Sequence, residues 1–182
     1  ERILQTAKAL AELDVLCSLA EVAVKNNYTM PVVNVSDKID IKDGRHPVVE
    51  KVLKGQLFIP NDTYLSRKDR VSVITGPNMA GKSTFMKAVS IAYYLAQMGF
   101  PVPVAKMEFT PVDGIFTSIN VPDDISQGYS HFYAEVLRVK GIAQKVSEGL
   151  NLFIIFDELF KGTNVKDAYD ATLAVTDAYS SH

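Results

Sequence analysis

Polar residues recur at three- to four-residue spacing in two series, and most other positions are Ala, Leu, Val or Ile. The first series is Gln5, Lys8 and Glu12, and the second is Asp14, Ser18, Glu21 and Lys25. Side chains at this spacing share one face of an α-helix. The pattern predicts one long helix over residues 2–25, ended by Asn26-Asn27 and Pro31. Its many apolar positions predict that much of this helix is buried against another part of the protein.

The rest of the chain falls into two patterns. Residues 32–65 hold short extended pieces separated by turn residues such as Asp43-Gly44 and Pro60-Asn61-Asp62. Beyond residue 70, apolar runs alternate with longer helical patterns. The predicted strands are 71–75, 102–105, 115–119 and 151–156, and the predicted helices are about 82–98, 130–147 and 165–179. Alternating strands and helices favour an α/β fold with a mostly parallel sheet flanked by helices, plus the N-terminal helix.

Composition narrows the class of protein. The 182 residues are 47% hydrophobic and 22% charged, with a net charge of −2, so this segment is not a strongly basic nucleic-acid binder. A single cysteine, Cys17, excludes an intrachain disulfide framework. No apolar run is long enough to span a bilayer, and we expect a cytoplasmic protein, nucleoid-associated if bacterial. Because both ends fall inside or beside predicted helices, we expect a piece of a longer chain.

A loop with two glycines lies between the predicted strand at 71–75 and the predicted helix at 82. A Lys-Ser pair after the second glycine is typical of loops that wrap backbone amides around phosphate oxygens at a helix N-terminus. Lys82 would reach the β- and γ-phosphates of ATP, and Ser83 would bind Mg²⁺. The alternative is a chance glycine-rich turn. The predicted ATP-binding residues of this loop are Gly76, Pro77, Asn78, Met79, Ala80, Gly81, Lys82, Ser83 and Thr84.

Two adjacent carboxylates, Asp157 and Glu158, end the most apolar predicted strand. Ligands of α/β folds bind at the carboxyl ends of strands, so both side chains are candidate site residues. Asp157 would hold Mg²⁺ through water, and Glu158 would orient or deprotonate the attacking water of a hydrolysis reaction. The alternative is that the pair caps the next helix or only solvates the strand end. Together with the glycine loop, the pair predicts an ATPase.

Other residues have weaker signals. Ser130 precedes a predicted helix, where it would be an N-cap or a second anion site for a nucleotide held by another subunit. The segment from Lys161 to Asn164 would be a strand–helix turn or a loop at a dimer seam that senses hydrolysis. A histidine beside proline, His46, is more often structural than catalytic. No His, Cys or carboxylate cluster has zinc-ligand spacing.

Taken together, these motifs resemble the MutS family of DNA mismatch-repair ATPases over nearly the whole chain. Residues 10–16 look like the end of that family's helical core, and residues 44–50 look like its entry into the ATPase domain. Residues 75–79 are similar to the family's variant of the phosphate loop, with Asn78 inside it. The resemblance implies two domains, 1–30 as the end of a helical core and 31–182 as a P-loop ATPase domain.

The resemblance also implies roles for individual residues. Phe58 and Ile59 would pack on the adenine ring. Ser130 would act in trans, contacting the γ-phosphate bound in a partner subunit, so that a homodimer or heterodimer carries two composite sites. Mismatched DNA would be bound by other domains, with ATP coupled to clamp movement. The chain departs from the family pattern at Ala80, at residues 128–131, at Phe160-Lys161 and at Ala168.

Besides a nucleotide-binding scaffold without turnover, which the intact Asp157-Glu158 pair argues against, two other functions fit the same residues. One is a MutS-related ATPase acting on recombination or branched DNA without reading mismatches. The other is an ABC-type ATPase of another system, which a Leu-Ser-Gly-Gly-Gln signature would support; this chain has Gln127-Gly128-Tyr129-Ser130 instead.

Overall fold

The computed structural model describes residues 1–53, 55–119, 131–161 and 163–180. The chain divides into two compact units, one formed by Glu1–Ser66 with Ala88–Pro111 and the other by Arg67–Lys87 with Val112–His182. The elements in chain order are α1 Arg2–Asn26, β1 Val32–Val33, β2 Ile39–Gly44, α2 Val49–Val52, β3 Asn61–Leu65, α3 Lys82–Gln97, β4 Lys106–Phe109, β5 Gly114–Ser118, α4 His131–Ser147, β6 Leu152–Phe156 and α5 Val165–Ser180.

A mixed sheet with strand order β1-β4-β2-β3 organises the first unit. β2 pairs antiparallel with β3 and β4, whereas β1 runs parallel to β4. Alternate residues of β2, Ile39 and Ile41, are buried, as expected for a strand with one covered face. Tyr93 of α3 is fully buried, and its ring meets the edge of Phe109 at 5.5 Å between centroids. The Tyr93 hydroxyl donates to the Thr110 carbonyl oxygen at 2.5 Å, which satisfies its polar end inside this core.

The long N-terminal helix is confirmed and is one residue longer than predicted. Asn27 ends α1 in the left-handed conformation, with φ 53°, and its N–H donates back to the last turn. The Arg45 guanidinium donates to the carbonyl oxygens of Asn26 and Asn27 and to the Glu50 carboxylate. These bonds satisfy helix-end carbonyls that would otherwise lack partners. No residue of α1 is buried within this chain, so a partner for its apolar positions stays a prediction.

The second unit contains a parallel pair of strands, β5 and β6, in register from Gly114↔Leu152 to Ser118↔Phe156. α4 and α5 belong to the same unit, and the Tyr179 hydroxyl of α5 donates to the Val139 carbonyl oxygen of α4 at 3.0 Å. The Tyr179 ring lies 6.1 Å from that of Phe156 on β6. The predicted helices at 82–98, 130–147 and 165–179 are confirmed over their described residues, as are the strands at 115–119 and 151–156.

Two predicted strands are wrong. Residues 71–75 have no regular secondary structure, and Val73 is 79% exposed. An apolar composition favours a strand, but a strand forms only where its backbone pairs with a neighbour. The strand predicted at 102–105 begins instead at Lys106, and Val102 makes only an isolated bridge to Thr29. Pro101 and Pro103 have no N–H to donate to a ladder, which explains the shift.

The prediction of a mostly parallel sheet needs a further correction. The helices and strands do make a mixed α/β chain, but antiparallel pairing dominates the four-stranded sheet. The rule that alternating strands and helices give parallel pairing does not apply to β2 and β3, which have only a short helix and loop between them. The P-loop NTPase architecture stays a prediction.

Glu108 on β4 lies between two lysines. Its carboxylate oxygens accept from Lys106 Nζ at 2.8 Å and Lys38 Nζ at 2.6 Å. The hydrogen bond from Lys106, then that from Lys38, lowers the pKa of Glu108 to about 2. A carboxyl whose pKa is depressed on folding stabilises the native state above its unfolded pKa of about 4.3. That stabilisation is lost as the pH falls toward the folded value.

We therefore expect Glu108→Gln to lower the free energy of unfolding at pH 7. The difference from wild type should shrink from about pH 5 to about pH 2, because wild-type Glu108 becomes protonated over that range. Urea unfolding at a series of pH values measures it, with Glu12→Gln on the exposed face of α1 as the control. A difference that stays constant over that range would contradict this account.

Candidate functional site

The predicted phosphate loop connects a segment without regular secondary structure to the start of α3. Three of its residues have positive φ: Gly76 at 151°, Met79 at 65° and Gly81 at 89°. Glycine adopts such angles without steric cost, whereas Met79 costs about 1–2 kcal/mol in the left-handed region. The Met79 side chain is fully exposed, so its own packing does not offset that cost. A strained non-glycine residue in an exposed loop is typical of functional sites.

Lys82 is the first residue of α3 and lies over the loop that precedes it. Its ammonium donates to the carbonyl oxygens of Gly76 at 2.8 Å and Pro77 at 3.0 Å. The helical bonding of α3 includes the Phe85 N–H donating to the Gly81 carbonyl oxygen at 2.9 Å. The N-terminus of a helix carries partial positive charge and N–H groups without helical acceptors. The loop therefore joins a lysine ammonium to a helix N-terminus, a combination that attracts anions.

The two predicted magnesium ligands are in direct contact. The Ser83 hydroxyl donates to Asp157 Oδ2 at 2.6 Å, although 74 residues separate them in sequence. Asp157 directly follows β6, and its N–H donates to the Ser118 carbonyl oxygen at 2.9 Å, which extends the β5–β6 ladder by one bond. The Asp157 backbone is thus fixed by the sheet and its side chain by the start of α3. The structure thus brings the end of β6 to the start of α3, and the magnesium-binding role of the two residues stays a prediction.

Glu158 lies in the turn after Asp157, with φ 51°. Its Oε2 atom accepts from Lys161 Nζ at 2.6 Å, and both side chains are substantially exposed. The hydrogen bond and charge of Lys161 hold the pKa of Glu158 below its usual range, and the charge of Lys82 adds to this effect. Glu158 therefore lies in the electrostatic field of the loop lysine as well as that of its own turn.

Phe160 lies in the same turn as Glu158, and the sequence did not predict a role for it there. It also adopts the left-handed conformation, with φ 61°, yet its side chain is only 3% exposed. Its ring packs against Phe132 of α4 at 5.6 Å between centroids. The apolar pair Leu159-Phe160 after the two carboxylates is the signal that the sequence offers for this anchor.

The segment after the carboxylates has the geometry of a strand–helix turn. The Asn164 Oδ1 atom accepts from the Asp167 N–H at 2.9 Å, which caps the first turn of α5. The Asn164 side-chain amide also donates to the Asp167 carboxylate. The described residues of the segment therefore agree with a strand–helix turn, and its role at a dimer seam stays a prediction. His46 is structural, as expected, because its Nδ1 atom accepts from the N–H groups of Val48 and Val49.

The other predicted site residues lie in the first unit or outside the described residues. Phe58 and Ile59 belong to the first unit, between α2 and β3, where Ile59 is exposed and Phe58 is partly buried. Ser130 and Gly162 lie outside the described residues. The roles expected for Phe58, Ile59 and Ser130 therefore stay predictions.

Within the described residues, no group of three or more His, Cys, Asp or Glu side chains is arranged to hold a metal ion. A Mg²⁺ bound by one carboxylate, one hydroxyl, water and phosphate oxygens would not require such a group. Over residues 1–53, 55–119, 131–161 and 163–180, no helix has the length and apolar character needed to cross a bilayer.

Comparison with known protein families gives the class to which this fold and site belong. The family model described as MutS domain V matches residues 72–182, which is more than half of the chain and includes the loop, Asp157 and Glu158. The chain belongs to the MutS domain V family.

Curated relatives agree with this assignment. The chain is 45% identical over 175 residues to the DNA mismatch repair protein MutS of Acetivibrio thermocellus. It is 48% identical over 168 residues to that of Alkaliphilus oremlandii and 47% identical over 176 residues to that of Caldicellulosiruptor bescii. These alignments cover 96%, 92% and 96% of this chain. The chain spans about a fifth of the length of these relatives, at 20%, 19% and 20% respectively.

The Ser83–Asp157 contact predicts a measurable stability effect. Ser83→Ala removes the hydroxyl that donates to Asp157, so a partly buried carboxylate oxygen loses this hydrogen bond. We expect a loss of about 1–3 kcal/mol in the free energy of unfolding, measured by urea denaturation. Ser147→Ala near the end of α4, where the exposed hydroxyl bonds only locally to Gln144, is the matched control and should cost less. Equal losses for the two variants would contradict a structural link between α3 and β6.

Proposed function

We propose that this chain is the ATP-binding and ATP-hydrolysing unit of a DNA mismatch-repair protein. The observation that carries the proposal is the 2.6 Å contact between Ser83 and Asp157. It joins the two motifs that ATP hydrolysis requires, a phosphate loop and a strand-end carboxylate, although they are far apart in sequence. Membership of the MutS domain V family supports the same function.

Phosphate binding would use the loop, the start of α3 and Lys82. The positive φ angles of Gly76 and Gly81 allow a tight loop whose N–H groups can turn toward an anion. The Lys82 ammonium now bonded to loop carbonyls would exchange at least one of these bonds for a phosphate oxygen. A charged phosphate is the stronger acceptor, so the exchange is favourable.

The Ser83–Asp157 pair fits a magnesium ion. Mg²⁺ prefers oxygen ligands at 2.0–2.1 Å in an octahedron, which places neighbouring ligand oxygens about 3 Å apart. The two side-chain oxygens are 2.6 Å apart and would need to separate only slightly. Ser83 would be a direct ligand, and Asp157 would hold the ion directly or through water. When bound, the ion would neutralise charge on the phosphates.

Hydrolysis would place a water molecule in line with the bond between the γ-phosphorus and the bridging oxygen to ADP. Glu158 would orient this water and accept its proton as the new P–O bond forms and the bond to ADP breaks. The products are ADP and inorganic phosphate. Lys82 would stabilise the negative charge on the transferred phosphoryl group.

Coupling to DNA would depend on the rest of the protein. The curated relatives are named as DNA mismatch repair proteins and are about five times longer than this chain. We propose that mismatched DNA binds to other domains and that two copies of this unit, in a homodimer or heterodimer, form composite sites. Ser130 would then contact the γ-phosphate held by the partner subunit, and Phe58 and Ile59 would pack on adenine.

Lys82→Ala should abolish measurable binding of Mg²⁺-ATP, because the loop would lose the cation that balances the β- and γ-phosphates. Isothermal titration calorimetry with Mg²⁺-ATP and ADP measures the change. Lys140→Ala, at an exposed lysine of α4, is the matched control and should bind as wild type does. An unchanged affinity of Lys82→Ala for Mg²⁺-ATP would show that the loop does not bind the phosphates as proposed.

Glu158→Gln should bind nucleotide with wild-type affinity but hydrolyse it at least about a hundredfold more slowly, because a neutral amide cannot accept the proton of water. Steady-state phosphate release by the protein that carries this chain measures the rate. Glu148→Gln, at an exposed glutamate after α4, is the control. A wild-type rate in Glu158→Gln would show that another group activates the water.

A further inference from the structure

The turn that follows Asp157 holds two residues in an unusual backbone conformation. Glu158 and Phe160 both adopt left-handed backbone angles without being glycine, at φ 51° and 61°. Such conformations are disfavoured for residues with a Cβ atom and persist only where surrounding contacts hold them. The contacts that hold this turn therefore decide where the Glu158 carboxylate lies.

Burial of Phe160 provides the first of these contacts. Its side chain is almost completely buried and its ring packs on Phe132 of α4 at 5.6 Å. A buried aromatic ring gains enough from leaving water to offset an unfavourable backbone angle. The ring thus anchors the backbone of the turn two residues after Glu158.

The ion pair between Lys161 and Glu158 is the second contact, with Nζ 2.6 Å from Oε2. The Lys161 side chain is 73% exposed and the Glu158 side chain 44% exposed. Ion pairs at such exposure contribute little to folding stability, because water screens them and both side chains lose entropy. What the pair does change is the direction of the carboxylate. Lys161 donates to Oε2, which leaves the second carboxylate oxygen, Oε1, to accept a hydrogen bond from water.

We propose that Phe160 and Lys161 are positioning residues for Glu158, with Phe160 anchoring the strained turn and Lys161 fixing the orientation of the carboxylate. The inference rests on the proposed function of Glu158 in water activation. Neither residue would contact the nucleotide. Their loss should therefore change the turnover number and leave nucleotide affinity unchanged.

The test compares kcat and KM for ATP in the protein that carries this chain. Lys161→Gln should lower kcat by about tenfold, because small errors in the position of a catalytic group cost that much or more. KM for ATP and Kd for ADP should stay within about twofold of wild type. Lys161→Arg keeps the cation and should restore kcat to within about twofold. Lys166→Gln, at an exposed lysine of α5, is the matched control and should turn over as wild type does.

Phe160 is tested with two variants. Phe160→Gly suits the positive φ but removes the ring, so kcat should fall while nucleotide affinity is kept. Phe160→Leu keeps most of the buried apolar volume and should retain more of the wild-type kcat than Phe160→Gly. A wild-type kcat in Phe160→Gly would overturn the anchoring role.

The outcomes separate this inference from the proposed function. A wild-type protein that hydrolyses no ATP, or a Glu158→Gln variant as fast as wild type, would overturn the proposed function and this inference with it. If both behave as proposed but Lys161→Gln turns over at the wild-type rate, only the positioning role fails. A faster Lys161→Gln would also overturn it, because Lys161 would then restrain Glu158 rather than orient it.

Discussion

The hydrogen bond from Ser83 to Asp157 is the interaction on which the candidate site depends. Ser83 is fixed by the first turn of α3, and Asp157 is fixed by the bond of its N–H to Ser118 at the end of the β5–β6 pair. Ser83 belongs to α3 and Asp157 directly follows β6, so regular elements position both side chains. Lys82 precedes Ser83 by one residue and Glu158 follows Asp157 by one residue, so this contact brings the loop and the turn after β6 together.

Around that contact, the chain adopts backbone angles that ordinary residues avoid. Met79 in the loop and Glu158 and Phe160 in the turn after β6 all have positive φ. At Phe160 the cost is offset by a buried ring, whereas Met79 is fully exposed and has no such compensation from its own side chain. Backbone strain of this kind is typical of segments that hold a ligand-binding geometry at some cost in stability.

Much of the site could be predicted because its parts have local signals. The Lys-Ser pair after Gly81 marks the start of α3, and the apolar run before Asp157 marks β6. Residues 71–75 and 102–105 were predicted wrongly as strands, since pairing depends on distant partners and on the prolines beside Val102. The Lys161–Glu158 pair was missed because a contact across three residues in a turn requires left-handed angles that composition does not reveal.

We propose that Ser83 and Asp157 together form the metal site of a bound nucleotide. Electron paramagnetic resonance with Mn²⁺ in place of Mg²⁺ tests it in wild type, Ser83→Ala, Asp157→Asn and the double variant. We expect ADP to tighten Mn²⁺ binding in wild type. The effects of the two substitutions on Mn²⁺ affinity should be non-additive, because both remove ligands of one ion. Mn²⁺ binding that is independent of nucleotide, or strictly additive losses, would contradict the proposal.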